Sequence, residues 1–370
     1  MDPKRLFDFL AASPSCYHAV QALSDRLTQE GYTQLHEADA WTLTAGGKYF
    51  VTRNGSSLLA FRVPTGAPAG FLMAAAHTDS PTFKIKHNPE KKAGPYVQLS
   101  TEKYGGMLMG TWFDRPLSVA GRVVTAKDGK LETKLVDVDR DLLVIPSVAI
   151  HMNRAANDGF KLMANVDTLP LYGMQEAAGS FRGVVAAAAG VKEDEILGED
   201  LSLYVRTRGT VFGAKDEFVL APRLDDLGCV FGLLEGFLAA EPSGSVPVFC
   251  AFDNEEVGSS TKQGANSTFL SDVLKRVNTA LGRSEEDVVR SLDAATEQIV
   301  GHERAMRESA EKKDMMQLQD TLLRSWGELM YARLMPTKEF MRRYSDIRYA
   351  ASMGYLHAPL PGLDLIMMDV

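Results

Sequence analysis

Cysteine is scarce in this 370-residue chain: the three present, Cys16, Cys229 and Cys250, are isolated from one another. Without a Cys-x-x-Cys pair, the sequence predicts neither a disulfide framework nor a thiolate zinc site. No apolar run approaches the roughly 18 residues that a membrane-spanning helix requires. Residues 1–5 lead into an amphipathic helix pattern and not into the long apolar centre of a signal peptide. We therefore expect a cytoplasmic protein with no membrane partner.

An excess of basic residues is also lacking, since 40 Lys and Arg stand against 48 Asp and Glu and give a formal net charge of -8. A general binder of nucleic acid needs a basic face that releases counterions from the phosphates. We therefore expect no nucleic-acid partner. The hydrophobic share of 45% and the charged share of 24% are those of an ordinary globular protein with a large buried core.

Two unbroken apolar runs predict buried strands that end in polar clusters. Residues 70–76 are followed by His77-Thr78-Asp79, and residues 246–252 by Asp253-Asn254-Glu255-Glu256. We expect the first run to be a central strand, because strands buried on both faces show no polar alternation. Open α/β sheets place their functional sites at such strand ends. An Asn54-Gly55 pair between two earlier apolar segments predicts a β-hairpin.

The chain changes character along its length. Residues 88–216 are rich in strand patterns and poor in helical ones, which predicts a β-rich domain inserted into an α/β domain formed by residues 1–87 and 217–370. From residue 268 onward the pattern is mostly helical. The predicted fold class is therefore α/β, with a mixed sheet flanked by helices and a separate β-rich insertion.

The His77-Thr78-Asp79 cluster suits a metal site. A neutral imidazole is a common zinc ligand, and a carboxylate two residues on can orient it. The alternative is a turn in which the aspartate merely caps the chain.

Two further clusters are acidic. Asp225 and Asp226 stand at a predicted strand-to-helix junction, where they could complement the helix dipole or bridge two cations. Asp253, Glu255 and Glu256 follow a buried strand, and like charges this close raise one another's pKa unless cations compensate them. A solvated acidic loop is the alternative. In the functional interpretation one glutamate binds metal while its neighbour takes a proton from water.

Taken together, the clusters supply the nitrogen and oxygen donors of a co-catalytic zinc site, in which two metals lie about 3.5–4 Å apart.

A series of motifs, in order over about residues 6–290, resembles the aspartyl aminopeptidase family of two-zinc metallo-aminopeptidases. The motifs are Ser13-Pro14-Ser15-Cys16-Tyr17-His18, Arg53-Asn54-Gly55-Ser56, Ala76-His77-Thr78-Asp79-Ser80-Pro81, Thr111-Trp112-Phe113-Asp114-Arg115-Pro116, Ala149-Ile150-His151-Met152-Asn153-Arg154, Arg223-Leu224-Asp225-Asp226 and Asp253-Asn254-Glu255-Glu256-Val257-Gly258. The resemblance implies a zinc-peptidase-like α/β fold interrupted by a dimerisation domain. It implies release of N-terminal Asp or Glu from a peptide substrate, two zinc ions per subunit, and assembly into dimers and a dodecamer.

The same resemblance implies roles for individual residues. His77 would bind one zinc, Asp225 would bridge the two and Glu256 would be a further ligand. Glu255 would be the general base, and Asp79 the carboxylate that orients a ligand. His151 would contact substrate in a neighbouring subunit's active site, or serve as a metal ligand; by residue type alone it would be an ordinary strand histidine.

The resemblance ends near residue 290. Family members carry a further Asp ligand in an Ala-Asp-Asn-Ala-His-Ala segment and a His ligand in a Met-His-Ser segment, and neither segment occurs here. His302 and His357 stand in unrelated surroundings, typical of a solvated helix edge and of a packed turn. Three interpretations follow: an active aminopeptidase, an impaired relative with a structural or regulatory role, and a two-metal amidohydrolase acting on N-acyl amino acids.

Overall fold

The computed structural model describes residues 3–68, 70–159, 161–240, 244–284 and 286–287. The rest of the predicted C-terminal helical stretch, with His302 and His357, lies outside these residues. Among the helices of the described ranges, none has both the length and the apolar character needed to cross a membrane.

The elements follow one another in mixed α and β order. The helices are α1 (Pro3–Ala11), α2 (Cys16–Gln29), α3 (Ala164–Asp167), α4 (Phe181–Ala189), α5 (Leu224–Ala239) and α6 (Phe269–Ala280). The strands are β1 (Thr33–Leu35), β2 (Lys48–Arg53), β3 (Ser57–Arg62), β4 (Phe71–His77), β5 (Thr82–Ala93), β6 (Tyr96–Tyr104), β7 (Leu117–Lys127), β8 (Lys130–Asp137), β9 (Leu171–Met174), β10 (Gly198–Val205), β11 (Thr210–Phe212), β12 (Phe218–Leu220) and β13 (Val246–Phe252).

A five-stranded mixed sheet has the order β1-β2-β3-β13-β4, with β1·β2 and β13·β4 parallel and the other pairs antiparallel. Helices cover both of its faces. In β3, Leu58 and Ala60 pack with α1, α2 and α5, while Leu59 and Phe61 pack with α6. This alternation follows from the two-residue period of a strand. The predicted mixed α/β sheet flanked by helices is confirmed.

The predicted hairpin is also present. Asn54 and Gly55 join β2 to β3 with φ angles of 58° and 67°, the left-handed region that Asn and Gly tolerate. The pairing of Arg53 with Ser57 gives a loop of three residues, one more than a two-residue Asn-Gly turn.

Within the described residues, the prediction that residues 70–76 form a central strand is wrong. Among the described residues β4 pairs only with β13 and lies at the edge of its sheet, and Leu72 is 47% exposed. An unbroken apolar run indicates that both faces of a strand are apolar, but it does not specify how many strands pair alongside it. The second run, β13, does lie inside the sheet and is almost wholly buried.

A second sheet of six strands has the order β8-β7-β10-β5-β6-β9, and every pair of neighbouring strands in it is antiparallel. It encloses its own apolar cluster, in which Phe83, Leu99 and Leu203 pack against Phe181 and Val185 of α4. The strands of this sheet run from residue 82 to residue 205. The division into an α/β domain and an insertion at residues 88–216 stays a prediction.

Candidate metal centre

The parallel pairing of β4 and β13 brings two of the predicted clusters to one edge of the sheet. His77 pairs with Phe252, so the acidic loop that follows Phe252 begins beside the imidazole. Asn254 has a φ of 64° and its carbonyl accepts the Ser259 N–H at 2.8 Å, which closes a turn around residues 255–258. This turn fixes the positions of both glutamates.

The start of α5 brings the third cluster to the same place. The backbone N–H of His77 donates to Asp226 Oδ2 at 3.0 Å, and Ser80 Oγ donates to the Asp225 carbonyl at 3.1 Å. The peptide bond between Asp225 and Asp226 is cis, and Asp225 has an extended ψ of 109° within the first turn. Two hydrogen bonds thus tie the helix start to the loop after β4.

The side chains converge on the imidazole. His77 Nε2 lies 3.5 Å from Asp225 Oδ1, 3.9 Å from Asp226 Oδ2 and 3.9 Å from Glu255 Oε2. Two groups, His77 with both aspartates and His77 with Glu255 and Glu256, each offer ligand atoms that lie within 4.8 Å of one another. His77 is only 12% exposed, whereas Asp225 and Glu255 are about half exposed. The cluster therefore opens to solvent on its carboxylate side.

Asp79 lies behind the imidazole. His77 Nδ1 donates to the Asp79 carbonyl at 3.0 Å and lies 3.4 Å from its carboxylate. The same carboxylate, 4% exposed, accepts the backbone N–H groups of Glu255 and Glu256 at 3.2 Å each. With the proton on Nδ1, the Nε2 lone pair faces the acidic cluster, as a metal-binding imidazole requires.

The crowding of charges in this cluster raises the pKa values of several of its groups. Burial would lower the pKa of His77, but Asp79, Asp226 and Glu255 together raise it to about 9. Burial raises the pKa of Glu256 to about 7, and the neighbouring carboxylates add to the shift. Burial also raises the pKa of Asp226. The cluster thus retains protons that a bound metal would displace.

The donor set fits zinc. It offers imidazole nitrogen and carboxylate oxygens, and the ion pairs that the described residues form with Asp225, Asp226 and Glu255 all run to His77. Divalent cations would neutralise the excess negative charge that no lysine or arginine compensates in those pairs.

The motif resemblance implies no individual role for two residues of this site, Asp226 and Tyr104. Asp226, a member of the predicted acidic pair, accepts the His77 N–H and lies within reach of Nε2. Tyr104, at the end of β6, donates its O–H to Asp79 Oδ2 at 2.6 Å. No local motif marks Tyr104, because it reaches the site from the other sheet; a polar residue ending a strand is its only signal.

His151 lies elsewhere in the chain's structure. It stands in an exposed turn of residues 150–152 and belongs to neither group of converging ligand atoms. The alternative of a strand histidine is wrong, because no strand includes this position. Its contact with a neighbouring subunit's site stays a prediction.

Histidine and carboxylates gathered at the ends of adjacent parallel strands of an α/β sheet are typical of metal-dependent hydrolases. The family model "Aminopeptidase I zinc metalloprotease (M18)" matches residues 9–300. A probable M18 family aminopeptidase 2 of Clostridium acetobutylicum is 44% identical over 298 residues, covering 78% of this chain and 69% of that protein. Its counterpart in Pseudomonas aeruginosa (strain UCBPP-PA14) is 43% identical over 280 residues, covering 74% and 65%. The chain belongs to the M18 family, the aspartyl aminopeptidase family.

Solved structures agree on the fold. A chain in the cryo-EM structure of the Ape4 and Nbr1 complex matches with a TM-score of 0.72 and 35% identity, over 77% of this chain and 59% of that one. Chaetomium thermophilum mApe1 matches with a TM-score of 0.69 and 32% identity, over 75% and 68%. The zinc-peptidase-like fold is thereby confirmed.

The relatives continue beyond the matched part. This chain spans 69% of the Clostridium protein, 65% of the Pseudomonas protein and 59% of the chain from the Ape4 complex. Its residues 315–370 match a different family model, "Protein-arginine kinase McsB C-terminal domain". The M18 match therefore stops close to the place where the motif resemblance ends.

Proposed function

We propose that this chain is a metal-dependent aminopeptidase that hydrolyses the first peptide bond of its substrate and binds two zinc ions. The observation that carries the proposal is the convergence of His77 with carboxylates from two other chain segments. Membership of the M18 family supports it.

In this proposal His77 Nε2, Asp225 and Glu256 hold the metal, and Asp226 is within reach as a further donor. Bound zinc would polarise the scissile carbonyl and make water a better nucleophile. Glu255, half exposed beside the imidazole, accepts the proton of the attacking water and donates it to the departing amino group. Asp79 keeps the His77 ring oriented.

A cavity of about 350 Å³ adjoins the metal centre, since Asp79 and Asp225 line it. The basic residues that line this cavity support a preference for an acidic first residue of the substrate. Lys84 and Arg122 also line it, but they are bound to Asp200 and Asn54. Three other arginines line the same cavity without an ion pair to any described residue. Arg223 donates to the backbone carbonyls of Leu10 and Val205, which leaves Arg115 and Arg208. We assign these two guanidinium groups to the carboxylate of the substrate's first side chain.

We also propose that the chain assembles with itself, as dimers within a larger homo-oligomer. A yeast relative, 29% identical with a TM-score of 0.64, was solved as the mApe1 dodecamer. Around His151, the side chains of Val148, Ile150 and Met152 are 54–72% exposed, an unusual run of apolar surface that a partner subunit would cover. The cytoplasmic location stays a prediction.

A second candidate function is that of an impaired relative with a structural or regulatory role. The observation in its favour is that the M18 match stops at residue 300, and a different family model covers residues 315–370. The two further ligand segments of the family do not occur in this chain. A chain with the fold but without retained zinc would fit this candidate.

Hydrolysis of an aspartyl chromogenic amide tests the proposal. We expect the wild-type chain to release the dye, a chelator to abolish release, and Glu255→Gln to reduce kcat by about 100-fold or more. Glu176→Gln is the matched control, since Glu176 is exposed and outside the cluster. Activity unaffected by both chelator and Glu255→Gln would overturn the proposal. Hydrolysis of an N-acyl aspartate alone would favour the amidohydrolase instead.

A further inference from the structure

Tyr104 joins the six-stranded sheet to the metal centre on the five-stranded sheet. Its hydroxyl donates to Asp79 Oδ2 at 2.6 Å and accepts from Asn254 Nδ2 at 2.9 Å. Asp79 follows β4, and Asn254 immediately precedes Glu255. A single hydroxyl therefore bridges the two loops that carry the candidate metal ligands.

The Asp79 carboxylate has several hydrogen-bonding and charged partners. It accepts the backbone N–H groups of Glu255 and Glu256, and it lies 3.4 Å from His77 Nδ1. Tyr104 supplies the only side-chain hydroxyl hydrogen bond to it among the described residues. Each of these hydrogen bonds helps to hold the carboxylate in place, because satisfied polar networks rigidify the groups within them.

The backbone after Tyr104 packs against the same loop. Gly105 has a φ of 76°, and a Cβ built on it would lie 2.9 Å from Cβ of Glu256. The residue that follows β6 therefore lies close to the Glu256 side chain, independently of the hydroxyl hydrogen bond.

We infer that Tyr104 is a positioning residue of the metal centre: by holding Asp79 and Asn254 together, it aims His77 Nε2 and the Glu256 carboxylate at the same point. This inference rests on the proposed metal site, and it assigns to the six-stranded sheet a part in building that site.

Tyr104→Phe removes one O–H and little else. We expect the zinc affinity, measured by competition with a chromophoric chelator, to fall about 10–100-fold, as for other groups that orient a metal ligand. We also expect the visible absorption bands of the Co²⁺-loaded protein to shift. Tyr204→Phe is the control, because Tyr204 donates a similar hydrogen bond of 2.7 Å to Asp137 in the same sheet. A merely structural hydroxyl would leave metal affinity and spectrum unchanged in both variants.

A metal-free measurement separates this inference from the proposed function. Without zinc, we expect the Glu255 and Glu256 amide protons to exchange about fivefold faster in Tyr104→Phe than in wild type or Tyr204→Phe. If wild type retains no zinc, the proposed function fails while amide exchange still decides the role of Tyr104. Unchanged exchange in Tyr104→Phe, or an unchanged affinity in protein that does bind zinc, would overturn the inference.

Discussion

At the scale of single residues, the acidic groups around His77 lie too close together for all of them to ionise unless positive charge compensates them. In metal-free protein, bound protons provide this compensation, as the raised pKa values of His77 and Glu256 indicate. Zinc would exchange places with those protons, so metal binding should strengthen as the pH rises.

This predicts a pH dependence of metal-free stability. The pKa of Glu256 rises from 4.5 to about 7 on folding, so the folded state binds more protons in that window and its stabilising contribution is lost as the pH rises through it. Urea unfolding should therefore show the stability of wild type falling relative to Glu256→Gln between about pH 4.5 and 7. Parallel curves for the two proteins across that window would contradict the burial of this carboxyl group.

The cavity arginines Arg115 and Arg208, which form no ion pair with a described residue, give a prediction about specificity. Arg115→Ala should lower kcat/KM for an aspartyl amide by about 10–100-fold and leave a leucyl amide nearly unchanged, since a lost hydrogen bond to a charged group costs about 1.5–3 kcal/mol. Arg140→Ala is the control, because Arg140 is exposed and does not line the cavity. Equal losses on both substrates would mean that Arg115 acts on stability or on the metal centre and not on the acidic side chain.

Much of the candidate site follows from short motifs. His77, Asp225, Glu255 and Glu256 stand at strand and helix ends, and such ends meet at one sheet edge in open α/β folds. Tyr104 could not be found this way, because its approach to Asp79 depends on how two sheets pack, which no local pattern encodes.

At the scale of elements, the apolar pattern predicted where the strands lie in the sequence better than it predicted which strands pair with one another. The run 70–76 and the run 246–252 are similarly apolar, yet β13 lies inside the sheet and β4 at its edge among the described residues. Sheet order depends on long-range pairing, and strand composition reports only the burial of the two faces.

The difference between these strands predicts unequal mutational costs. Leu59→Ala in β3 should cost about 2–5 kcal/mol in the free energy of unfolding, because Leu59 is fully buried. Leu72→Ala in β4 should stay within about 0.5 kcal/mol, as is usual for exposed positions. Chemical denaturation at constant zinc measures both. A cost at Leu72 equal to that at Leu59 would show that another segment or subunit covers the edge of β4.

At the scale of the whole molecule, the α/β class and the β-rich second sheet were predictable, because Gly-rich turns and apolar runs mark each strand locally. The contacts between the two sheets were not predictable from the sequence. The Tyr17 hydroxyl of α2 donates to Asp200 of β10, and Lys84 of β5 binds the same carboxylate. This partly buried network connects α2 to the six-stranded sheet beside the cavity that the substrate would enter.

In the proposed site, divalent cations neutralise the carboxylates around His77. Elemental analysis of the purified, dialysed chain tests this most directly, with Asp225→Asn as the comparison. We predict about two zinc ions per wild-type chain and a clear loss in Asp225→Asn. Wild-type protein that is folded but retains no zinc after dialysis would contradict it.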